Sequence, residues 1–265
     1  MKIFFSEHQA IYSNYTFSYG VYCIKETQAE LPEIYANGFL PYTGNLNIKK
    51  DIFYLARSVR VKLDNFVDTS ENRRVNRIVS ELGIFVEVID KNKFDAENLE
   101  FLSFCHRFAE QRFDGGRMDS KRIWYIFHQG TLSHVIVFRS SEKIYGYVFA
   151  ALHDEMLHYW YSFFDIAYLK LHALGKWMMW RTLRWAKENG LKYGYLGTCY
   201  KTKALYKVRD HFGVEFFDGV RWNSDLQLLK HLCRLDEESG GESADRLKST
   251  DEKIRGIFRE LFENE

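Results

Sequence analysis

Between Met156 and Lys207 the hydrophobic pattern changes period twice. Residues 157–164 (LHYWYSFF) are a short, mostly aromatic run with the length and composition of a strand. Leu171, Leu174, Met178 and Trp185, joined by Trp177 and Trp180, then recur at helical spacing until Asn189 and Gly190 supply a stop, which predicts a helix over about 171–188. The additional tryptophans make that helix apolar on more than one face, so it is expected between a sheet and another layer. A second strand follows over 191–197, then a loop rich in Tyr and Lys. Strand, crossover helix and strand predict a parallel pair, with Gly175 in the first helical turn, where free backbone amides suit an anion or an ester carbonyl.

The same reading extends outward from this unit. Residues 133–139, 143–153 and 156–164 are strands rich in β-branched and aromatic residues, and turns at 140–142 and 154–155 make them antiparallel neighbours. The segment IWYIF at 123–127 fits either the end of a helix or a strand. Nearer the start, Tyr12, Tyr15, Phe17, Tyr19 and Tyr22 are spaced as a strand or a packed loop. A short helix over 30–37 stops at Gly38, and Pro41 and Gly44 mark a loop. One strand is expected over 53–63, with Val59, Val61 and Leu63 on one face and Arg60 and Lys62 on the other. A helix capped by Thr69 or Ser70 puts Arg73 and Arg77 on a shared face. A strand at 83–90 and a helix over 96–113, ending toward Asp114, Gly115 and Gly116, complete the first half.

After residue 213 a hairpin turns at Asp218 and Gly219, and a helix capped by Asn223 or Ser224 follows. Residues 236–265 hold ten acidic against five basic side chains. They divide into a linker over 237–243, a capping box from Ser249 to Glu252, and an amphipathic stripe of Ile254, Ile257, Phe258, Leu261 and Phe262. The expected organisation is an aromatic segment over 1–50, a core over 51–235 that divides near 118, and a linker with a terminal helix over 236–265. No internal repeat is present.

With 265 residues, 17% of them aromatic and only two prolines, the chain has material for a substantial core and is no disordered array. No apolar run approaches the roughly 20 residues of a membrane span, and MKIFFSEHQA lacks the apolar region of a secretory signal, so a soluble, cytoplasmic protein without a membrane partner is expected. Cys23, Cys105, Cys199 and Cys233 form no CxxC pair and the histidines no HExxH, so no metal site is expected. His153 and His158, in or beside strands, are expected as core or edge residues.

Charge changes the picture more. Lys170, Lys176, Arg181, Arg184, Lys187, Lys192, Lys201, Lys203, Lys207 and Arg209 face the single acid Glu188 between 170 and 209, whereas the whole chain carries only +1. Such a concentration either solvates a helix face or attracts a polyanion such as nucleic acid.

The order of elements resembles the GNAT acyltransferase fold: α/β, with a mixed, mostly antiparallel central sheet flanked by helices, and here a helical C-terminal tail. Within it, ANGF, VRVKLDNFVDTSENRR, YWYSFFD and HALGKWMMWRTLRWAKENGLKYGYLGTCYKTKALYK are similar to the arginyl/leucyl-tRNA protein transferases. The residues that carry the likeness are Gly38 and Phe39, Arg60 and Val61, Phe66, Ser70, Asn72 to Arg74, Tyr159 to Asp165, Leu174 and Gly175, Tyr195 to Gly197, Cys199, and Tyr206 with Lys207. The resemblance spans about residues 31–215. It departs at the family's cysteine clusters, where this chain has only Cys23 and YLARS, and at LPYTG, where the family has an arginine pair.

The resemblance implies transfer of an amino acid from aminoacyl-tRNA, as co-substrate in place of a bound cofactor, to an acceptor protein or peptide amine. Backbone amides near 161–164 would hold the oxyanion, Tyr195, Tyr200 or Tyr206 would return a proton to the leaving oxygen, and Asp165 would orient the amine. Arg73, Arg74, Lys176, Lys201, Lys203, Lys207 and Arg209 would meet acidic groups of the nucleic acid, with tyrosines to stack on its terminal base. Tyr161, Phe163, Leu174, Gly175, Gly197 and Cys199 would line the site. Two alternatives stand beside this: an acetyl-CoA-dependent N-acetyltransferase, which needs a glycine-rich pyrophosphate loop where LKLHALGKW has only Gly175, and a non-catalytic tRNA- or RNA-binding adaptor.

Overall fold

The computed structural model describes residues 1–11, 16–112 and 118–238. Tyr12, Tyr15, the segment 113–116 and the tail beyond 238, with its capping box and apolar stripe, lie outside the described residues. In chain order the elements are β1 (Lys2–Ile11), β2 (Thr16–Ile24), α1 (Leu31–Ala36), β3 (Phe39–Pro41), β4 (Ile52–Leu55), β5 (Ser58–Lys62), α2 (Ser70–Ser80), β6 (Phe85–Asp90), α3 (Leu99–Arg112), α4 (Ser120–His128), β7 (His134–Arg139), β8 (Ile144–His153) and β9 (Met156–Phe164). Then come α5 (Leu169–His172), α6 (Leu174–Glu188), β10 (Tyr193–Thr198), α7 (Tyr206–Arg209), β11 (Val214–Phe217), β12 (Trp222–Asn223) and α8 (Leu226–Glu238).

Eight strands form one sheet in the order β12-β11-β5-β10-β9-β8-β7-β6, in which only β9 and β10 run parallel. A right-handed helical crossover is the standard way to join parallel neighbours, and α6 fills that role. Its Leu174, Trp177, Met178, Met179, Trp180 and Leu183 are all buried, as the doubly apolar pattern requires. The segment IWYIF belongs to α4, whose Ile123, Ile126 and Phe127 enter the same core.

A second sheet, β1-β2-β4-β3, packs with α1 around its own core of Leu31, Ile34, Tyr35, Phe39, Leu40 and Phe53, which extends onto Met156 and Tyr195 of the large sheet. The single strand expected over 53–63 is therefore two. β4 pairs with β2 and β3, the chain turns at Ala56 and Arg57, and β5 pairs with β10 and β11. Alternation survives in β5, but its polar face is covered at Arg60, which is 7% exposed, lies between the rings of Tyr193 and Trp222 at 4.3 and 4.1 Å, and pairs with Glu215 at 2.9 Å. Gly38 shows how tightly the sheets meet, since it has φ +81° and a Cβ there would lie 2.3 Å from the Phe217 ring.

Helix caps follow elementary rules with one correction. In α2, Thr69 Oγ1 accepts from Asn72 N, and Asn72 Oδ1 accepts from Thr69 N, each at 3.0 Å. In α8 the cap is Asp225, which accepts from the amides of Gln227 and Leu228 at 3.0 Å, rather than Asn223 or Ser224. A carboxylate also complements the helix dipole, and Asn223 is engaged with Asp218 instead. Helix α8 runs to Glu238, so Glu237 and Glu238, expected in the linker, belong to it together with Asp236. Asp236 is 1% exposed, pairs with Arg57 at 2.8 Å and accepts from Lys201 N at 3.0 Å.

Among the described residues no helix is long and apolar enough to cross a membrane. Breaking a buried ion pair leaves one charge uncompensated, so Asp236→Ala is expected to lower unfolding stability by about 3 kcal/mol in urea denaturation. A loss below ~1 kcal/mol would mean that the pair does not hold α8 in place.

Candidate active site at the strand splay

The parallel ladder between β9 and β10 ends at His158 and Tyr195. Immediately beyond, each strand carries a bulge. Trp160 is the extra residue between the pairs Tyr159–Ala150 and Tyr161–Phe149, and Leu196 is the extra residue between Tyr195–Arg60 and Gly197–Val59. A bulge bends its strand and releases backbone groups from the ladder. Beyond the bulges β9 remains paired to β8 and β10 to β5 but not to each other, so the two strands part in a V.

Lys207, in α7, reaches back into this V. Its Nζ donates to Thr198 O at 2.8 Å and has no ion-pair partner among the described residues. Burial pushes its pKa down to about 8, with Cys199 pulling the other way. Gly197, at φ +81°, leaves room there: a Cβ would stand 3.5 Å from Lys207 Nζ and 4.0 Å from His158 Nε2. His158 is buried, as expected of a core or edge histidine, but its surroundings are chemical in a way that periodicity does not reveal. Its Nδ1 is 2.8 Å from the Tyr35 hydroxyl, and burial followed by the Lys207 charge lowers its pKa to about 3. Only its position one step before the Tyr-rich strand end would have marked it. Tyr159 is also buried, and its phenol pKa is raised by that burial, with Ser162 opposing.

The other expected site residues divide. Tyr206 is 51% exposed beside Lys207, whose Nζ lies 6.0 Å from its ring, and Lys203 is exposed in the preceding 3-10 turn, Thr202–Leu205. Tyr161 bonds through its hydroxyl to Thr43 at 2.9 Å. Tyr195 is 2% exposed and packs on Tyr35 and Trp222 in the second core, where burial raises its phenol pKa despite Arg60, so it is built as a core residue rather than a proton shuttle. Tyr200 accepts from Arg57 N at 2.9 Å under the Arg57 guanidinium. Asp165 caps a 3-10 turn through Ala167 N and pairs with Lys143 at 2.8 Å, which occupies it without a substrate amine. Phe163 and Leu174 are core residues. Cys199 is buried with its Sγ 3.8 Å from that of Cys233, and the hydrogen bond between them, then burial, keeps its thiol protonated.

Gly175 has a packing reason in place of an anion site, because a Cβ there would lie 2.7 Å from the Phe164 ring. Lys176 bonds Glu71 at 3.1 Å and Asp210 at 3.0 Å, so its charge is neutralised in the fold and does not wait for a phosphate. Arg74 pairs with Glu71, whose carboxyl is held down to about 2 by Arg74 and then Lys176, and Arg73 donates to Asp68 O. Half of the ten cations between 170 and 209 meet carboxylates in the fold. Asp68 meets Arg184, Glu188 meets Arg181 and Arg184, Glu155 meets Lys192, and Asp210 meets Arg209. Lys170, Lys187, Lys201, Lys203 and Lys207 are left without a carboxylate partner among the described residues, Lys187 donating to the carbonyls of Asp64 and Phe66. The Lys176–Asp210 pair nonetheless brings the Gly175 turn beside the Tyr206–Arg209 helix.

Residues 121–207, which contain α4 to β10 and the start of α7, match the family model of the acetyltransferase (GNAT) domain. The fold is GNAT-like. Solved structures similar to this chain include the C-terminal domain of a putative lysylphosphatidylglycerol synthetase from Agrobacterium fabrum, at 15% identity over 67% of this chain and 53% of that one, with TM-score 0.42. Two others are L-PGS from Bacillus licheniformis (12%, 81% and 72%, TM-score 0.43) and FemX (13%, 77% and 71%, TM-score 0.44). The chain thus spans about half the length of the first of these. No curated protein matches it in sequence. Among the described residues of this GNAT-like domain, no cluster of three or more His, Cys, Asp or Glu side chains could hold a metal. A surface depression of about 700 Å³ between α3 and the β7–β8 turn is formed by other residues, including Phe104, Arg107 and Tyr147, and is not the splayed cleft.

The lowered Lys207 pKa has a signed consequence. Between about 8 and the ordinary 10.5 the unfolded state binds the extra proton, so Lys207 adds stability as pH rises through that window. Against Lys207→Met, the wild-type unfolding free energy is expected to climb from pH 8 to 10.5; parallel curves would mean that Lys207 is solvated in the folded protein.

Proposed function

We propose that the protein is an aminoacyltransferase that moves an amino acid from an aminoacyl-tRNA to an amine, with a protein or peptide N-terminus as the acceptor. The observation that carries this reading is the pairing of an open β9–β10 splay with Lys207 inside it, charged and unmatched by any described carboxylate. An acyl ester enters the V along the unpaired strand edges, which orient its carbonyl. The amine nitrogen bonds to the carbonyl carbon while the C=O π pair moves onto oxygen. Collapse restores C=O and breaks the bond to the ribose oxygen, which takes a proton from the Lys207 ammonium. The attacking nitrogen gives up one of its protons to the resulting Lys207 amine, so the lysine is regenerated. A pKa near 8 suits a group that both gives and takes a proton at neutral pH. Tyr206 at the rim offers a ring for the terminal base, and the exposed Lys170, Lys201 and Lys203 offer charge for the acceptor-stem phosphates.

An acetyl-CoA-dependent reaction on the same GNAT-like fold needs backbone amides presented to a pyrophosphate. The α6 start works against it, because Gly175 is closed over by Phe164 and no further glycine follows in the helix.

Incubation with charged tRNA, acetyl-CoA and a panel of N-terminal peptides, read by product mass, is expected to show addition of an amino-acid residue. An acetyl mass shift, or none, would replace the reading with the acetyltransferase or the adaptor. Lys207→Met is expected to lower kcat/KM about 10²-fold or more, as for loss of an acid–base group. The double variant Lys201→Ala, Lys203→Ala is expected to raise KM for tRNA and to reduce the salt slope by about 1 for each lysine that meets a phosphate, with kcat unchanged.

A further inference from the structure

His158 is the last residue of β9 paired to β10, at the apex of the V, and it is 1% exposed. Its Nδ1 lies 2.8 Å from the hydroxyl of Tyr35, which belongs to the core of the small sheet and is itself 0% exposed. Its Nε2 is buried with no hydrogen-bond partner among the described residues. Native interiors seldom leave such a group unpaired, and exceptions tend to mark sites with a task.

Counting donors settles the tautomer. If Nδ1 carried the proton, it would donate to Tyr35 oxygen and the phenol hydrogen would have no acceptor among the described residues. If the phenol donates to Nδ1, its hydrogen is satisfied and the imidazole proton sits on Nε2. Tyr35 keeps its proton because burial raises its pKa, and burial keeps the imidazole neutral. His158 therefore presents a neutral Nε2–H beside Gly197. The other group that a Cβ at Gly197 would meet is Lys207 Nζ, which has spent one N–H on Thr198 O. Gly197 carries no side chain, so the space beside its Cα is bounded by these two donors, at the point where the strands part.

We propose that this space is an oxygen site and that His158, held by Tyr35, is a catalytic hydrogen-bond donor to the acyl carbonyl oxygen, with Lys207 as the second donor. The inference rests on the transfer reaction proposed above and adds a residue to it. As the C=O π pair moves onto oxygen during attack, the Nε2–H bond to that oxygen strengthens without the proton leaving nitrogen; on collapse it relaxes to the carbonyl. A neutral donor fixed before the reaction needs no reorganisation as charge develops, which is the basis of oxyanion stabilisation. Tyr35 acts through His158 and is a positioning residue.

The tautomer is tested without substrate by 15N NMR of histidine-labelled protein at pH 7, with the His158 signals assigned through His158→Asn. Protonated Nε2 with bare Nδ1 is expected; a proton on Nδ1, or an imidazolium, overturns the proposal. Single-turnover transfer is then measured with whichever donor, charged tRNA or acetyl-CoA, the wild type uses, since both present an acyl oxygen. His158→Gln keeps an amide N–H near the Nε2 position and is expected within about tenfold of wild type, whereas His158→Asn satisfies only Tyr35 and is expected to lose about 10²-fold in rate with KM unchanged. Equal rates for the two variants overturn it. Tyr35→Phe, which leaves the imidazole in place should His158→Asn fail to fold, is expected to give mixed tautomers and a several-fold lower rate; an unchanged tautomer overturns the positioning role. If neither donor reacts, the proposed function fails by itself, and the site is judged by adding an aminoacyl-adenosine with a 3′-amide link. A downfield shift of the Nε2 proton supports the oxygen site, while no shift, with exchange to solvent, marks an internal water only and overturns it.

Discussion

Backbone hydrogen bonding between β9 and β10 stops after three residue pairs, and the molecule is arranged around that stop. A sheet interior normally leaves no amide or carbonyl unpaired, because each buried orphan costs free energy comparable to a hydrogen bond. Here the bulges at Trp160 and Leu196 bend the two strands apart in the middle of an eight-stranded sheet. The flanking strands make the opening tolerable. β8 stays paired to β9 as far as Phe164, and β5 stays paired to β10 as far as Thr198, so each strand loses one partner and keeps the other.

Around this opening the charge is managed in a consistent way. Carboxylates from distant segments, Asp68 and Glu71 near the start of α2 and Asp210 after α7, neutralise the cations of α6 and hold three helices together. These pairs are partly exposed and individually worth little, but they offset part of the positive charge that a count along the chain suggests. Arg57 and Asp236 do the same for α8 in a buried setting, and they place that helix behind the Cys199–Lys201 turn. Lys207 is half-buried beside the strand ends and is answered only by the Thr198 carbonyl among the described residues. Holding a cation there without a described counter-charge carries a desolvation cost, which lowers its pKa toward neutrality.

The small sheet has a role beyond covering hydrophobic surface. Through Tyr35 it reaches His158, through Thr43 it reaches Tyr161, and through Ser58 and Gly38 it is tied to the start of β5. Through Tyr35 and Thr43 the first fifty residues thus support one wall of the cleft.

Local pattern along the chain was sufficient for the elements themselves. The periods of 2 and 3.6, the Thr69 cap, the Gly38 and Gly190 stops and the Asp218–Gly219 turn depend on neighbours within a few residues, and so did the parallel β9–α6–β10 unit. What depends on residues far apart was decided only in three dimensions. A strand-like stretch at 53–63 does not reveal that its halves join different sheets. Nor does a run of ten cations reveal which of them meet Asp68, Glu71 or Asp210 from elsewhere. Gly175 and Gly197 look alike as letters, yet one is closed by the Phe164 ring and the other opens beside Lys207 and His158. Helices and strands are set by short-range sterics and periodic burial, whereas a site is set by which long-range contacts leave a polar group without a partner, and only the folded arrangement contains that information.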